Sequence, residues 1–466
     1  MPTPIRHLVV LMLENRSFDH MLGFLKRDNP AIDGLNGDEW NYPARELDPN
    51  VVVSDNAADV HDLTPDPHHD FGDVTQQIFS NSDPTTPADM RGFVRNYFVA
   101  SGDPVRAGNV MKCFTPATLP VLSTLAKQYA VCDRWFASVP GSTIPNRMFV
   151  HGANSVGSVN QDAIDAPFLL KTIFESFDAT TPYDYRIYST GSSILLANKY
   201  LILHQGKFFP YANFKDDALN GNLPAYTFIE PTYDDDGQGN FATSQHPDFP
   251  IDRGEGLIRD IYNALTQSPG WKSTLFLILY DEHGGIFDHV VPPTVTRQPS
   301  SAGVPDVTPS PDPPFDFTRL GVRVPAVFVS PCIAPGTVLH DRDYEHSSVV
   351  ATVRKLFCPG SQPLTWREAQ APTFDDVLAL TGSAIRNDVV NLPVPAVSPA
   401  AGVAIQASAE VRRPTDLSVL FARAMNYQLQ QRGIAPPGDV NTLTNAADTA
   451  SFLQEAQKRS AAGGAQ

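Results

Sequence analysis

The chain opens on an apolar run, His7–Leu13, that is rich in branched residues and ends abruptly on Glu14, Asn15 and Arg16. The run is too short to span a membrane, and its composition predicts a buried β-strand. A carboxylate and a carboxamide therefore follow the carboxyl end of a strand, where open α/β sheets bind their ligands. Taken alone, the stretch fits a second interpretation equally well, in which Glu14 is an ordinary surface charge and Asn15 an ordinary turn former.

Strands alternate with helices along most of the sequence. Strands are predicted at 130–136, at Thr274–Tyr280 and at 324–330, and helices at 255–265 and Ser347–Phe357. This alternation predicts an α/β fold with a mainly parallel central sheet and helices on both faces. The 42 prolines and 30 glycines indicate long ordered loops inserted into that scaffold.

The composition changes near the C-terminal end of the chain. Polar clusters follow strands throughout residues 1–395, which we expect to form one large domain. Beyond that point the sequence turns to Ala, Pro and Ser. The predicted C-terminal extension, residues 396–466, contains one amphipathic helix at 417–431 and a flexible end.

Charge and hydropathy exclude several classes of partner. The net charge is −17, with no basic stripe and no nucleic-acid motif, so nucleic acid is not an expected partner. The same charge disfavours strong adsorption to anionic membranes, and no apolar run reaches transmembrane length. No charged leader precedes the first strand. The numbered chain is expected to be cytoplasmic, or secreted or periplasmic if a leader has been removed.

The cysteines give no sign of a metal site or a disulfide framework. None of the four forms a CxxC pair, which argues against a cysteine zinc site. Their even number permits disulfides, but their spacing is too wide for a stapled scaffold. We expect mostly buried free thiols at Cys113, Cys132, Cys332 and Cys358.

The strand predicted at Thr274–Tyr280 runs directly into Asp281 and Glu282, and two glycines follow. Glycines allow a sharp turn and a close approach of the backbone to a ligand. Neighbouring carboxylates in a partly dry site repel each other unless a cation or a proton lies between them. Together with Glu14 and Asn15 they predict an oxygen-rich cage for Mg²⁺, Mn²⁺ or Ca²⁺, while nearby histidines leave Zn²⁺ and Fe open.

A second motif, Gly-Ser-Thr-Ile-Pro-Asn-Arg at 141–147, predicts the start of a helix. Pro145 suits the first helical turn, and Ser142 or Thr143 suits the cap. A hydroxyl there lies beside free N–H groups and the positive end of the helix dipole, which favours phosphate. An ordinary helix cap is the commoner meaning of such a motif. Beside a metal cage, however, the hydroxyl can become a metal-activated nucleophile.

Five of the twelve histidines stand in motif-like loops or at strand ends: His69, His246, His283, His289 and His346. A lone histidine is more often structural than catalytic. Five in such places predict a general acid and ligands for phosphate.

Eight motifs occur in a characteristic order. They are Glu-Asn-Arg-Ser-Phe-Asp-His-Met-Leu-Gly (14–23), Asp-Pro-His-His (66–69), Asp-Arg-Trp-Phe-Ala-Ser-Val-Pro (133–140), Ser-Thr-Ile-Pro-Asn-Arg (142–147), Tyr-Asp-Glu-His-Gly-Gly (280–285), Asp-His-Val (288–290), Leu-Gly-Val-Arg-Val-Pro (320–325) and Glu-His-Ser-Ser (345–348). Over about residues 7–375 the chain resembles the phosphoesterase family of bacterial phospholipases C and acid phosphatases. It resembles the plant-type nonspecific phospholipase C branch most.

The resemblance implies an alkaline-phosphatase-like α/β fold and hydrolysis of phosphate esters by a hydroxyl nucleophile beside a metal ion. It implies a metal role for Glu14, Asn15, Asp281 and Glu282, and both the nucleophile role and a place at the metal for Thr143. Four histidines become candidates for phosphate binding or acid–base catalysis: His69, His246, His283 and His346.

One departure from the family affects the expected substrate. Plant members have a second histidine shortly after the one that matches His246, whereas Asp248 and Phe249 follow here. Three hypotheses are therefore kept. The first is a phospholipase C that contacts membrane surfaces transiently and releases diacylglycerol and a phosphorylated head group. The others are an acid phosphatase for monoesters and a non-enzymatic metal- or anion-binding protein, the last disfavoured by the complete nucleophile and carboxylate set.

Overall fold

The computed structural model of this chain describes residues 5–57, 63–160, 168–190, 193–234, 241–296, 304–395 and 416–462. The strands of these residues are β1 His7–Leu13, β2 Trp40–Asn41, β3 Val51–Val52, β4 Ala130–Cys132, β5 Trp135–Phe136, β6 Tyr185–Ser189, β7 Phe208–Pro210, β8 Tyr226–Glu230, β9 Thr274–Tyr280, β10 Ser310–Pro311, β11 Pro314–Phe315, β12 Ala326–Val329, β13 Thr337–Leu339 and β14 Tyr344–Glu345. The helices are α1 Phe18–Leu22, α2 Phe71–Ile78, α3 Phe93–Ser101, α4 Pro104–Ala107, α5 Pro120–Gln128, α6 Thr143–Gly152, α7 Ile173–Thr180, α8 Tyr211–Leu219, α9 Ile251–Thr266, α10 Ser347–Phe357, α11 Trp366–Gln370, α12 Asp416–Gln431 and α13 Ala446–Ala462.

A central eight-stranded sheet has the order β13-β4-β12-β9-β1-β8-β6-β7. Neighbouring strands run parallel except at β12, which is antiparallel to both β9 and β4. Helices pack around this sheet. The predicted α/β class with a mainly parallel central sheet is confirmed.

The two apolar strands predicted first, β1 and β9, are neighbours at the centre of the sheet. Every residue of β9 is buried, as are residues 8–13 of β1, which is typical of parallel strands covered on both faces. Their parallel register places Leu13 opposite Tyr280. The residues that follow, Glu14 and Asp281, therefore leave the sheet side by side.

The run at 130–136 was predicted to be one strand and forms two. At Asp133 the N–H still donates to the carbonyl oxygen of Leu339 in β13 over 3.3 Å, whereas the carbonyl oxygen accepts a hydrogen bond of 2.8 Å from the Arg323 side chain instead of a strand. Beyond this break β5 pairs with β14 in a separate two-stranded sheet. The strand predicted at 324–330 is likewise shorter, at Ala326–Val329.

The C-terminal part contains two helices where the sequence predicted one and a flexible end. Leu417, Leu420 and Phe421 of α12 belong to the main hydrophobic core, so this helix packs on the sheet domain. Helix α13 packs on α12 through Phe452 and Ala456. Burial of these two apolar side chains favours formation of α13. The predicted domain boundary at residue 396 falls outside the described residues.

The predicted free thiols are confirmed, since all four cysteines are buried and none forms a disulfide. Within the described part of the chain, no helix is long and apolar enough to cross a lipid bilayer.

A carboxylate from one helix caps another next to the sheet. Glu255 of α9 is 1% exposed and accepts hydrogen bonds from the backbone N–H groups of Val121, at 2.5 Å, and Leu122, at 2.9 Å. These groups belong to the first turn of α5, where helical N–H groups have no acceptor within their own helix. Glu255 therefore joins the two helices through a cap that is distant in sequence.

We expect Glu255→Ala to lower the free energy of unfolding by about 3 kcal/mol, because two buried N–H groups lose their acceptor. Glu255→Gln keeps one acceptor oxygen and is expected to lose less than half of that. Urea unfolding followed by circular dichroism measures both variants. Equal stability of Glu255→Ala and the parent would contradict the cap between helices.

Candidate active site

The two polar strand ends meet at one edge of the sheet. The backbone N–H of Asn15 donates to Asp281 Oδ1 over 3.0 Å, and the N–H of Glu282 donates to the same oxygen over 2.8 Å. Asn15 adopts a left-handed backbone conformation, with φ of 54°, which asparagine tolerates better than most residues. The chain therefore turns sharply just after β1 and presents its polar side chains at this edge.

The glycine pair after β9 lets two loops approach this edge. Gly284 has φ of 64°, and a Cβ there would overlap the carbonyl oxygen of Asn15. Gly285 has φ of 67°, and a Cβ there would come within 2.6 Å of the carbonyl oxygen of His68. The two glycines were predicted to let the backbone approach a ligand. In the structure they let it approach the loops that carry Asn15 and His69.

Helix α6 brings Thr143 to the same edge. The Thr143 side chain is buried, and its hydroxyl donates to Asn15 Oδ1 over 3.3 Å. Asn146 holds the preceding turn, since its side chain pairs with both backbone groups of Val139 and with the carbonyl oxygen of Ser142. Ser142 occupies the N-cap position. Thr143 is therefore the first helical residue and not the cap, and its hydroxyl is directed to another strand end.

A buried guanidinium ties the strand ends together. Arg147, one helical turn after Thr143, donates from Nε to Asp281 Oδ2 over 2.8 Å and from Nη2 to the carbonyl oxygen of Leu13 over 3.0 Å. Its Nη1 also donates to the hydroxyl of Tyr233 over 2.9 Å. Both oxygens of Asp281 thus accept N–H groups.

Glu282 differs from its neighbour because one of its oxygens is unsatisfied. Its Oε2 accepts the N–H of Gly284 over 2.7 Å. Its Oε1 is buried without a hydrogen-bond partner among the described residues, and the ring nitrogen Nε2 of His69 lies 3.9 Å away. Burial raises the pKa of Glu282 to about 7. An orphaned buried oxygen of this kind is a polar group in need of a partner.

Glu14 adds a third buried carboxylate. Burial raises the pKa of Glu14 well above its usual value, opposed by Arg147 and reinforced by Asp281. Glu14 and Asp281 thus share the charge of one guanidinium, while Glu282 has no contact with it. The donor set of carboxylate, amide and hydroxyl oxygens, with the orphaned oxygen of Glu282, fits a hard divalent cation.

His69 is the histidine that faces this group of oxygens. Its Nδ1 donates to the carbonyl oxygen of Pro67 over 2.8 Å, which leaves Nε2 directed at the site, 3.5 Å from Asn15 Nδ2. Burial opposes the charge on the His69 ring, but Glu282 and Asp66 more than offset it and raise the pKa to about 10. His69 is therefore a protonated ring at the edge of the oxygen cluster.

His346 and His283 lie beside the site; both ring nitrogens of His346 are engaged, whereas Nδ1 of His283 has no hydrogen-bond partner among the described residues and lies 3.5 Å from Glu282 Oε2. His346 Nε2 donates to the carbonyl oxygen of Asp281 over 2.6 Å, and its Nδ1 accepts from Trp135 over 3.3 Å. His283 Nε2 donates to Gln77 Oε1 over 2.7 Å. Burial lowers the pKa of His346 to about 4 and that of His283 to about 3. Both rings are neutral, and both support the loop after β9.

His246 lies further out, between two carboxylates. Its Nε2 is 3.6 Å from Asp66, and its Nδ1 is 3.7 Å from Asp248. Asp66 also lies 3.8 Å from Nδ1 of His69, so one carboxylate connects the two histidines. Of the two histidines, Asp248, one of the residues that depart from the family pattern, contacts His246 alone.

Three potential metal ligands converge at a different place in the described residues. Single ligand atoms of Asp19, Asp288 and His289 lie within 4.8 Å of one another. Arg323 donates to Asp19 over 3.0 Å and to Asp288 over 2.9 Å, and His289 Nδ1 lies 2.6 Å from Asp19. Side chains already supply the positive charge here, so we interpret this group as a buried ion-pair network. His289 belongs to it and not to the site.

Comparison with known proteins identifies the family. The model of the phosphoesterase family matches residues 5–358. The chain belongs to the phosphoesterase family. Non-specific phospholipase C1 of Arabidopsis thaliana is 42% identical over 407 residues, which cover 84% of this chain and 74% of that protein. Phospholipase C B of Mycobacterium tuberculosis is 28% identical over 419 residues, 79% of this chain and 76% of that protein. The predicted enzyme class, a phosphoric ester hydrolase, is confirmed.

Solved structures give looser matches. A protein of the alkaline phosphatase superfamily from Vibrio parahaemolyticus covers 51% of this chain and 60% of its own, with 11% identity and a TM-score of 0.32. The lipoteichoic acid synthase LtaP of Listeria monocytogenes covers 56% of this chain and 69% of its own, with 11% identity and a TM-score of 0.31.

Two residues of the site received no separate role from the sequence. Arg147 ends the motif at 141–147, and its position four residues after Thr143 places both residues on one helix face. That spacing is a usable signal for a shared site. Tyr233 stands in a polar, turn-rich stretch, and nothing in the local sequence indicates its contact with Arg147.

We expect Gly284→Ala to lower phosphate-ester hydrolysis by about 100-fold, because the added Cβ displaces Asn15 and misplacing a catalytic group by about 1 Å has effects of that size. Gly336→Ala is a matched control: Gly336 has φ of 72°, but its Cβ would meet nothing within 4 Å. Steady-state rates of both purified variants are compared with the parent. Similar losses in the two variants would attribute the effect to backbone strain rather than to displacement of Asn15.

Proposed function

We propose that this protein is a phospholipase C that hydrolyses the bond between phosphorus and the glycerol oxygen of phospholipids, with Thr143 as the nucleophile. The observation that carries the proposal is the buried Thr143 hydroxyl, hydrogen-bonded to Asn15, beside a carboxylate oxygen of Glu282 that has no partner among the described residues. The named activity of the plant and mycobacterial relatives supports the substrate class.

A divalent cation would be held by Glu14, Asn15, Thr143 and Glu282. Asp281, whose two oxygens already accept N–H groups, would lie behind these ligands. Oxygen donors favour Mg²⁺, Mn²⁺ or Ca²⁺ over Zn²⁺ or Fe. Such an ion lowers the pKa of a bound hydroxyl and neutralises charge on a phosphate. Elemental analysis of the purified protein by mass spectrometry identifies the ion.

Thr143 is placed for attack by the helix that carries it. In the first step the Thr143 hydroxyl loses its proton to solvent and its oxygen forms a bond to phosphorus, while the bond from phosphorus to the glycerol oxygen breaks. The first-turn N–H groups of Thr143 and Ile144 lack acceptors within α6, and they stabilise negative charge that develops on the phosphoryl oxygens. Water then gives a proton to the neutral His69 ring and its oxygen forms a bond to phosphorus, while the bond from phosphorus to the Thr143 oxygen breaks; the phosphorylated head group leaves and Thr143 regains its proton from solvent.

His69 supplies the proton that the leaving glycerol oxygen needs. Its Nδ1 is held by the carbonyl oxygen of Pro67, so Nε2 is the nitrogen that can donate toward the site. His346, another of the four acid–base candidates from the sequence, has both ring nitrogens engaged. We therefore assign His346 the role of holding the loop that carries Asp281. His246, which lies next to Asp66 further from Thr143, is assigned to contact the phosphate or the head group.

The deciding experiment compares two substrates. Release of phosphocholine from phosphatidylcholine is measured beside release of phosphate from a simple monoester, with the same enzyme and the same divalent ion. A phospholipase C is expected to prefer the phosphodiester. Hydrolysis of the monoester alone would instead establish the acid phosphatase alternative, and activity on neither substrate would contradict both.

A further inference from the structure

One buried amide connects two of the loops that meet at the site. Gln77 of α2 is fully buried. Its Nε2 donates to the carbonyl oxygen of His68 over 2.7 Å and to Asn96 Oδ1 over 2.8 Å. Its Oε1 accepts from Nε2 of His283 over 2.7 Å. The amide therefore joins the residue before His69 to the residue after Glu282.

The surroundings of Gln77 fix the direction in which its amide points. A backbone carbonyl oxygen can only accept a hydrogen bond, so the amide nitrogen faces His68 and the amide oxygen faces His283. His283 must then donate from Nε2, which leaves the lone pair of its neutral ring on Nδ1. That nitrogen lies 3.5 Å from Glu282 Oε2. Gln77 therefore sets the tautomer of a ring that faces a carboxylate of the site.

Gln77 is itself held by a polar network and by an apolar cluster. Asn96 of α3 is buried, and its Nδ2 donates to Asp73 Oδ1 over 2.9 Å and to Gln76 Oε1 over 2.8 Å. One hydrophobic cluster joins α2 and α3 to the segment after Gly285, and its members include Val74, Ile78, Phe93, Val94, Ile286 and Phe287. Buried and satisfied polar networks of this kind are rigid, so Gln77 is a fixed point for both loops.

The loop of His69 is attached to this fixed point. The His69 ring bonds through Nδ1 to the carbonyl oxygen of Pro67, which belongs to the same loop, so this bond orients the ring within the loop. The bond from Gln77 to the next carbonyl, that of His68, ties the loop to α2. Gly285 makes room for the contact, since a Cβ there would come within 2.6 Å of the His68 oxygen and 3.2 Å of Gln77 Nε2.

We propose that Gln77 is a positioning residue for His69, and that it keeps Nε2 of His69 directed at the leaving oxygen by holding the His69 loop against the loop of Glu282. The inference rests on the proposed function, in which His69 protonates the leaving glycerol oxygen. A general acid must stay within hydrogen-bond reach of the atom that it protonates, and misplacement by about 1 Å lowers a rate by about 100-fold. Gln77 thus acts on the reaction through His69.

Two soluble phosphocholine diesters with different leaving groups test this role. Monomeric dihexanoylphosphatidylcholine releases a glycerol oxygen, which needs a proton to leave, whereas p-nitrophenyl phosphocholine releases p-nitrophenolate, which does not. We compare kcat/KM, because it reports the steps up to departure of the leaving group. Gln77→Met keeps the length of the side chain and removes its hydrogen bonds. It is expected to lower kcat/KM about 100-fold for the phosphatidylcholine and less than about threefold for the p-nitrophenyl ester, the pattern of a lost general acid. His69→Ala should show the same preference.

The double variant shows whether the two residues act through one group. Substitutions that remove the same function are not additive, so Gln77→Met added to His69→Ala is expected to lower kcat/KM for the phosphatidylcholine by less than about a further threefold. A further loss of about 100-fold would show that Gln77 acts independently of His69, and would overturn the proposal.

Two other variants complete the experiment. Gly285→Ala presses on the same His68 oxygen from the loop after β9, so it should show the same preference and replaces Gln77→Met if that variant does not fold. Asn41→Leu is the matched control, because buried Asn41 also bonds to the backbone, donating to the carbonyl oxygen of Met90 over 2.9 Å and accepting from the N–H of Val94 over 3.2 Å. It should lower the urea midpoint of unfolding without changing the ratio of the two kcat/KM values.

The outcomes separate this inference from the proposed function. If the parent cleaves neither diester, the proposed function fails and the inference fails with it. If the parent cleaves both, but folded Gln77→Met lowers the two kcat/KM values equally or leaves them unchanged, the role of Gln77 is overturned while the phospholipase C activity stands. If His69→Ala shows no preference between the leaving groups, His69 is not the acid, and the role of Gln77 is overturned for that reason instead.

Discussion

Thr143→Ala is expected to lower the rate of phosphodiester hydrolysis by roughly four orders of magnitude, the scale on which loss of a nucleophile acts in other hydrolases. The variant should remain folded, because the hydroxyl makes one hydrogen bond to Asn15, worth about 1 kcal/mol. The loss in activity therefore exceeds what the structural contact explains. Rates are measured on a soluble diester together with urea unfolding and metal content.

Two further variants sharpen this result. Thr143→Ser keeps the hydroxyl but loses the methyl group that restricts its rotation, so part of the activity should remain. Ser142→Ala removes the neighbouring hydroxyl at the N-cap, where the structure shows no side-chain cap hydrogen bond, and should keep most of the activity. An acid-quenched sample should carry the head-group phosphate on Thr143 by mass spectrometry. A folded, metal-loaded and active Thr143→Ala would instead show direct attack of water on phosphorus.

Glu282→Gln is expected to prevent retention of the divalent ion and to lower activity by at least about 100-fold. Substituting a residue that only hydrogen-bonds to a metal ligand already lowers metal affinity or activity by up to about 100-fold, and Glu282 is assigned as a ligand itself. Its stability without metal should not fall, because the buried oxygen that it replaces has no partner among the described residues. Metal content after dialysis and urea unfolding measure the two effects separately. Full metal retention by Glu282→Gln would contradict the assigned ligand set.

The adjacent carboxylate provides the contrast. Asp281→Asn removes the charge that pairs with buried Arg147, and breaking such a pair typically lowers the free energy of unfolding by about 3–5 kcal/mol. We expect it to lose stability, metal content and activity together, whereas Glu282→Gln loses the last two alone. Equal stability of the two variants would show that the Arg147 pair contributes little.

The raised pKa of Glu282 also predicts a pH dependence in the metal-free protein. The folded carboxyl group keeps its proton up to about pH 7, while the unfolded group releases it near 4.5. The folded state therefore binds more protons in this range, and the free energy of unfolding should fall as the pH rises through it. Glu282→Gln is expected to remove this contribution, which unfolding at several pH values measures.

The meeting of the two strand ends could be predicted from sequence. Each of β1 and β9 is a continuous apolar run that ends on acidic or amide side chains, and parallel strands carry their carboxyl ends to one edge. The structure places Glu14 beside Asp281 for this reason. The helix start at Thr143 was predictable as well, because Ser142 and Pro145 are local signals.

The partition of roles within the site was not predictable in the same way. Asp281 and Glu282 are neighbours in sequence, yet only Asp281 meets Arg147. His69 and His346 were both among the four histidine candidates, and the contacts of His346 with Trp135 and Asp281 separate the two. Each of these distinctions depends on a partner at least 65 residues away in the chain.

The sequence by itself determined the apolar strands, the helix starts and the residue types of the site, because these depend on neighbours along the chain. The tertiary structure alone decided which buried polar groups are satisfied and which are left for a ligand. The packing of α6 against the ends of β1 and β9 brings Arg147 to Asp281, and the second oxygen of Glu282 is left without a partner among the described residues. A buried polar group acquires its role from its hydrogen bonds, and those form only between segments that the fold brings together.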